Sequence, residues 1–280
     1  MGQQKQKCAA TSAELKSTGK RKITVGSVWE SKTCGAFEVI NYINWRDVTV
    51  RFVDTGYIKK CQSSNVRSGS IKDNLSKKTY GVGFIGDGNY SPMVNGKQSE
   101  AYAAWNCMFD RCYSRKFQER NPSYIGCTVC PEWHNFQSFA KWFDENHPKD
   151  GGRYELDKDL KVIGNRVYSP TACLFVSATV NNFIIERRDY GNCNLAGVSF
   201  ERSRGKFRAT CQNPITKKSV LIGRFSSEID AHMAWRNKKS KFAYELANEQ
   251  ESNEVRSALL RWKYALDNFD LHPIKDLMES

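Results

Sequence analysis

Residues 194–247 read NLAGVSFERSRGKFRATCQNPITKKSVLIGRFSSEIDAHMAWRNKKSKFAYELA, and this stretch decides the architecture. Gly197-Val198 opens a first strand, Gly205-Lys206-Phe207 opens a second, and Leu221-Ile222-Gly223-Arg224-Phe225 closes a third. Alternation sends Phe207, Ala209 and Cys211 to one side of the middle strand and Lys206, Arg208, Thr210 and Gln212 to the other. The apolar set is assigned inward. A helix follows, since Ser227 and Asp230 stand three apart as a capping pair, with Asp in place of the usual Glu. Ala231, Ala234, Trp235, Lys238 and Phe242 trace one side of that helix, the side expected to pack on the sheet.

Charge gathers in the same stretch. The 280-residue chain has 43 Lys+Arg against 30 Asp+Glu, a net +13 that favours a polyanionic partner over an acidic small substrate. Residues 194–247 hold 11 Lys+Arg against 4 Asp+Glu, about half of the excess. Ser199, Glu201 and Arg202 from the first strand and Ser219 from the third extend the polar face, which suits a major groove. In order and length the stretch resembles the AP2 DNA-binding domain. The resemblance implies an independent fold over residues 193–247 that docks on double-stranded DNA. Arg208 is then the base-edge reader, Thr210 and Gln212 share its face, and Arg202, Arg204, Lys206, Lys217 and Lys218 meet DNA, mostly at phosphates, which set register without reading sequence. Plant members carry an arginine-rich segment where this chain has Ser199 and Phe200, so the sequence preference does not transfer.

Upstream, two helical runs carry apolar stripes, Tyr102, Trp105, Met108 and Phe109 in one and Phe136, Phe139, Ala140 and Phe143 in the other. Tyr154 to Asn182 then reads YELDKDLKVIGNRVYSPTACLFVSATVNN. With WNCMFDRCYS and YIGCTVCPEWHNFQSFAKWF before it, and its own LDKD, GN and YSP order, this region resembles the HNH nucleases of phage homing endonucleases. That family holds a divalent metal on two strands and a helix while a histidine activates water. The resemblance places Asp157 at the strand-end metal position, Asn181 or Asn182 at the last metal-side position, and Lys158 where the catalytic histidine belongs. Ala172 replaces the asparagine expected after the proline. Mg²⁺ is the cofactor implied if the site is active, with Asp157 and Lys158 as its catalytic pair. A base would otherwise have to come from His134 or His147, or from a desolvated Lys158. A lysine there would also suit a backbone phosphate, and Asp157 and Asp159 read equally as surface carboxylates.

Ten cysteines in a chain without an export signal are expected to be reduced. Cys127 and Cys130 form a CTVC pair with the two-residue gap that suits half a zinc site, which Cys107 and Cys112 would have to complete; buried free thiols are the preferred reading. Tyr80 to Pro92 contains a literal GxGxxG at Gly81, Gly83 and Gly86, but Gly88, Asn89 and Pro92 follow where a helix should begin, so a hairpin or mobile link turning at Asp87-Gly88 is expected. Nearer the start, GAFEVINYIN, DVTVRFVDTGY and KCQSSNVRSGSI read as short alternating strands and resemble the small SH3-like barrels that precede nuclease-like segments in phage proteins. Val48, Val50 and Phe52 should face in, and Thr49, Arg51 and Val53 out. Trp29, Tyr42, Trp45 and Tyr57 either line a surface groove or belong to the core, the core being preferred.

The expected fold class is therefore α+β. A basic, mobile tail covers residues 1–22, an SH3-like β-barrel 23–75, a Gly-rich link 76–98, an HNH-like ββα module 99–188, the three-strand AP2-like domain 193–247 and a C-terminal helix 248–280. No apolar run approaches the roughly 20 residues that span a bilayer, and the host cytoplasm is the expected location. The leading functional expectation is a sequence-preferring, phage-type DNA-binding protein with a degenerate HNH module. One alternative is an active Mg²⁺-dependent homing endonuclease, and another is a module that holds a host or viral protein.

Overall fold

A computed structural model describes residues 21–185 and 193–268 of the chain, which divides into two compact units, residues 1–76 and 77–280. Almost all of the expected N-terminal tail and residues 269–280 of the expected C-terminal helix lie outside the described residues. In the first unit, β1 (Val28–Ser31), β2 (Gly35–Asn44), β3 (Asp47–Phe52) and β4 (Ile58–Cys61) form an antiparallel meander in sequence order. Val48, Val50 and Phe52 are buried with Phe37 and Val39, whereas Val53 is exposed, as alternation requires. The expected closed barrel is not seen. After Cys61 the chain enters α1 (Ser63–Ser68) instead of a further strand, and the segment after that helix lies against the end of β1. Lys32 N–H donates to the Gly69 carbonyl at 2.9 Å, and Ser31 Oγ–H donates to the Ile71 carbonyl at 2.6 Å. Gly69 permits this approach, because its φ is +63° and a Cβ would sit 2.6 Å from the Glu30 carbonyl. The four aromatics divide: Trp29 and Tyr57 pack against the core, while Tyr42 and Trp45 are exposed, against the preferred core reading.

The second unit begins with a tight hairpin, β5 (Met93–Val94) and β6 (Lys97–Gln98), followed by α2 (Glu100–Tyr113) and α3 (Arg115–Arg120). Ser99 caps α2 by accepting from Tyr102 N–H, and the predicted stripe buries Trp105, Met108 and Phe109 together with Cys112. A short β7 (Thr128–Val129) leads to α4 (Phe136–Asn146), which Asn135 caps and which buries Phe136, Phe139, Ala140 and Phe143. The glycine-rich run is neither a mobile link nor a hairpin at Asp87-Gly88. It lies against these helices, and the turn falls later, at Asn95-Gly96, where both φ values are positive. A Cβ on Gly83 would meet Trp105 and Phe109 at 2.8 Å, and one on Gly86 would meet Asn135 at 2.0 Å. Gln137 holds the run in place, its Nε2 donating to the Tyr90 carbonyl and its Oε1 accepting from Tyr90 N–H, both at 2.9 Å.

Next come β8 (Tyr154–Asp157), β9 (Val167–Tyr168), β10 (Leu174–Ser177) and α5 (Ala178–Ile184). β8 and β10 pair antiparallel, with Asp157 opposite Leu174 and Tyr154 opposite Ser177, while β9 pairs parallel with β7. The final portion has β11 (Val198–Glu201), β12 (Lys206–Gln212) and β13 (Ser219–Phe225) in one antiparallel sheet of that order, then α6 (Glu228–Asn248) and α7 (Asn253–Asp267). Phe207, Ala209 and Cys211 turn toward α6 as expected, and Ser227 caps that helix by accepting from Asp230 N–H. A core crosses the expected boundary between modules, because Leu160, Leu174, Val176, Val180 and Phe183 share one cluster with Trp235, Phe242, Leu246, Leu259 and Trp262.

Gly197 fixes how the sheet meets α6. Its φ is +73°, and an added Cβ would fall 2.0 Å from Trp235. Gly197→Ala adds both left-handed strain and overpacking, and is expected to cost about 3 kcal/mol or more. Urea denaturation of the two proteins measures it; equal midpoints would contradict this packing.

Candidate functional site

Cross-strand register builds a continuous polar face on β11, β12 and β13. Arg208 lies between Ser199 and Arg224, Thr210 pairs with Leu221, Gln212 with Ser219, and Lys206 with Glu201. The outward assignment of Lys206, Arg208 and Gln212 holds, with Thr210 half-buried. One member of this face, Arg224, escaped simple alternation from Ser219. A register shift between Ala209 and Thr210 puts Leu221 and Arg224, three residues apart, on the same side. Gly223 was the available signal, since glycine inside a strand often marks a bulge. Leu221 is 47% exposed, an apolar spot among polar neighbours.

The face has internal electrostatic order. Glu201 Oε2 accepts from Arg224 Nε at 2.6 Å, while Oε1 lies 3.3 Å from Arg204 Nε. The hydrogen bond from Arg224 holds the Glu201 carboxyl below the usual carboxylate range. Lys206 Nζ donates to Ser226 Oγ at 2.8 Å, and Arg202 and Arg204 lie in the exposed turn between β11 and β12. Lys218 is exposed in the turn at the other end of β12, but Lys217 is tied back, its Nζ donating to Thr179 Oγ1 on α5 at 2.6 Å.

β8, β10 and α5 form the second constellation, bordering a cavity of about 530 Å³ lined by Tyr124, Asp157, Lys158, Asn165, Arg166 and Trp262 among others. Asp157 ends β8, and its Oδ1 accepts from Asp159 N–H at 3.0 Å and Leu160 N–H at 2.7 Å. Those bonds turn the chain out of the strand. Burial pushes the Asp157 carboxyl upward in pKa, against the two backbone donors. Lys158 is buried, and its Nζ donates to Asp159 Oδ1 at 2.6 Å and to the Asn165 carbonyl at 3.1 Å. Asn165 answers by donating to the Lys158 and Val167 carbonyls at 2.9 and 2.8 Å. The LDKD and GN segments therefore lock the same loop, with the Lys158 side chain bonded to Asp159 and the Asn165 carbonyl.

Asn181 donates to Glu155, a strand residue the sequence reading passed over; the signal was its spacing two residues before Asp157, which places it on the same strand face. Asn182, its neighbour on α5, is exposed. Among the described residues no group of three or more His, Cys, Asp or Glu side chains could hold a metal ion. Cys127 and Cys112 are core residues, Cys130 is half-buried and Cys107 is exposed. Burial pushes the Cys112 thiol up to about 12. The candidate bases are occupied by packing: His134 Nε2 is 3.0 Å from the Val129 carbonyl, and His147 stacks on Phe143 with ring centroids 4.6 Å apart.

No protein-family model, curated protein or solved structure matches the chain.

Asp157→Asn keeps an oxygen for both backbone donors and removes the buried charge, so the fold should survive it. With its native pKa raised above the unfolded value, Asp157 keeps its proton longer in the folded state, and stability falls as pH rises between the two values. Denaturation midpoints measured across the acidic range should show that slope reduced in Asp157→Asn. Lys158→Met should cost about 1–3 kcal/mol by stranding the Asn165 carbonyl; an unchanged urea midpoint would argue against this role.

Proposed function

We propose that the chain is a double-stranded DNA-binding protein of phage type, acting in the host cytoplasm, which docks through the outer face of β11, β12 and β13. The observation that carries the reading is the register of that face: Arg208 and Arg224 sit side by side on adjacent strands, with Thr210, Gln212 and exposed Leu221 next in line. A two- or three-stranded ribbon fits the width of the major groove. Arginine forks match guanine O6 and N7, amides match adenine, and an apolar side chain meets the thymine methyl. Lys206, Arg202, Arg204 and Lys218 reach the phosphates around it. The strand order and the following helix support the likeness to the AP2 domain.

The ββα segment is then an HNH-like scaffold in which the LDKD and GN outline organises a loop. Arg166 at the cavity rim is exposed and gives this part an electrostatic foothold. No catalytic step is assigned to it. Cleavage with Mg²⁺ is the second reading, favoured by the β8, β10, α5 order; it would draw on Asp157 Oδ2, since both backbone donors go to Oδ1. Among the described residues no helix is long and apolar enough to cross a membrane.

Gel shift and nicking assays on one supercoiled DNA, with Mg²⁺ or EDTA, separate the two. Retarded but uncut DNA is the expected result; Mg²⁺-dependent nicking lost in Asp157→Ala would establish the second reading instead. Binding should weaken steeply as salt rises, and a flat response would refute phosphate-driven docking. Arg208→Ala should cost about 1–3 kcal/mol and relax base preference, while Lys206→Ala should weaken all sequences alike and reduce the salt slope by about 1.

A further inference from the structure

The N-terminal unit presents a surface for which the duplex-docking sheet has no use. Between β2 and β3 the chain turns at Asn44-Trp45-Arg46, and Asn44 Oδ1 accepts from Arg46 N–H at 2.8 Å and Asp47 N–H at 3.2 Å, which fixes the tip. Trp45 stands 56% exposed there, with the Arg46 guanidinium 4.5 Å from its ring centroid. Tyr42 and Ile43, at the end of β2, are exposed as well. The core below is complete without these side chains.

The tip is held beside a groove. Ser63 N–H donates to the Trp45 carbonyl at 2.9 Å, which sets the turn against the start of α1. There a cavity of about 530 Å³ opens between β4 and the segment after α1. Lys59, Lys60 and Lys72 line it with the amides of Gln62, Asn65 and Asn74, and its walls contain no carboxylate. Lys59 Nζ donates to the Lys72 carbonyl at 3.3 Å, joining the two sides.

Ammonium and amide donors select an anion with further hydrogen-bonding groups, and a fixed, solvated indole selects a flat ring. Unpaired nucleotides offer both in regular alternation. A duplex hides its ring faces in the base stack, and an acidic peptide supplies charge without rings at each step. We propose that Trp45 and the Lys59, Lys60, Lys72 groove form a binding site for single-stranded nucleic acid. Bases stack on Trp45 with Tyr42 near it, and phosphates follow the lysines. This site is independent of the duplex reading given above.

The test uses the full chain, a labelled oligo(dT) of about 12 nucleotides and a labelled duplex, followed by fluorescence anisotropy. Trp45→Ala should weaken oligo(dT) binding about tenfold, and Trp45→Phe should retain most of it, because the gain resides in ring stacking. Alanine at Lys59, Lys60 and Lys72 should lower the salt slope by about 0.7 for every phosphate no longer neutralised. Trp45 is outside the core, so the thermal midpoint of each Trp45 variant should equal that of the parent. Duplex affinity should be unchanged in these variants. Oligo(dT) affinity indifferent to Trp45→Ala would overturn the proposal, as would its loss in Arg208→Ala or equal competition by poly-glutamate. If duplex binding is absent while Trp45-dependent oligo(dT) binding persists, the sheet reading fails and this one stands.

Discussion

Leu174 and Val176 on β10 and Val180 and Phe183 on α5 are buried in the same cluster as Phe242 and Leu246 on α6 and Leu259 and Trp262 on α7. Each such side chain contributes about 1.5–3 kcal/mol by leaving water, so neither the ββα segment nor the final helices can complete a core alone. Phe183 and Trp262 meet with ring centroids 5.5 Å apart, and Lys239 Nζ donates to the Phe183 carbonyl at 2.6 Å, closing the end of α5. The ββα segment and the final sheet and helices depend on this junction, while α2 and α4 close a core of their own. The three-stranded sheet is carried by α6, and α6 is held by the same residues that support β10.

Buried polar groups reinforce that arrangement. His232 lies within 2.9 Å of the Ala196 carbonyl through Nδ1, and Arg236 donates to the Leu266 carbonyl, linking α6 to both the entry of β11 and the end of α7. Glu228 accepts from Asn194 and Leu195 N–H at 2.6 and 2.8 Å, so the acidic first turn of α6 also satisfies the chain that leads into the sheet. A sheet whose inner side is fixed at so many points can offer a stiff outer face. Preorganised side chains lose less entropy on binding than mobile ones, and the Glu201 clamp on Arg224 extends that advantage to the surface.

The loop between β8 and β10 illustrates how an outline associated with chemistry can serve a structural need. Asp157, Lys158, Asp159 and Asn165 form a closed set of backbone and side-chain hydrogen bonds. Such a set is costly to alter singly, because each removal leaves a desolvated partner without its hydrogen bond. The turn out of β8 therefore requires this pattern of residues whether or not a metal is ever bound there.

Periodicity alone determined the elements with one wet face: the inward Phe207, Ala209 and Cys211, the Val48, Val50 and Phe52 row, and the helical stripes of α2 and α4 were legible because burial follows the backbone repeat. The capping pair Ser227 and Asp230 marked the start of α6 for the same local reason. What the tertiary structure decided lay beyond any local repeat. The β-bulge beside Ala209 brought Leu221 and Arg224 onto one face, and a glycine run with a nucleotide-binding spelling became a close-packing strap over Trp105 and Phe109. The N-terminal strands run into α1, and residues 69–71, far along the chain, meet the end of β1. Hydrogen-bond partners and shared cores are set by which segments meet, and the entropy of closing long loops gives no trace in the spacing of residues along the chain.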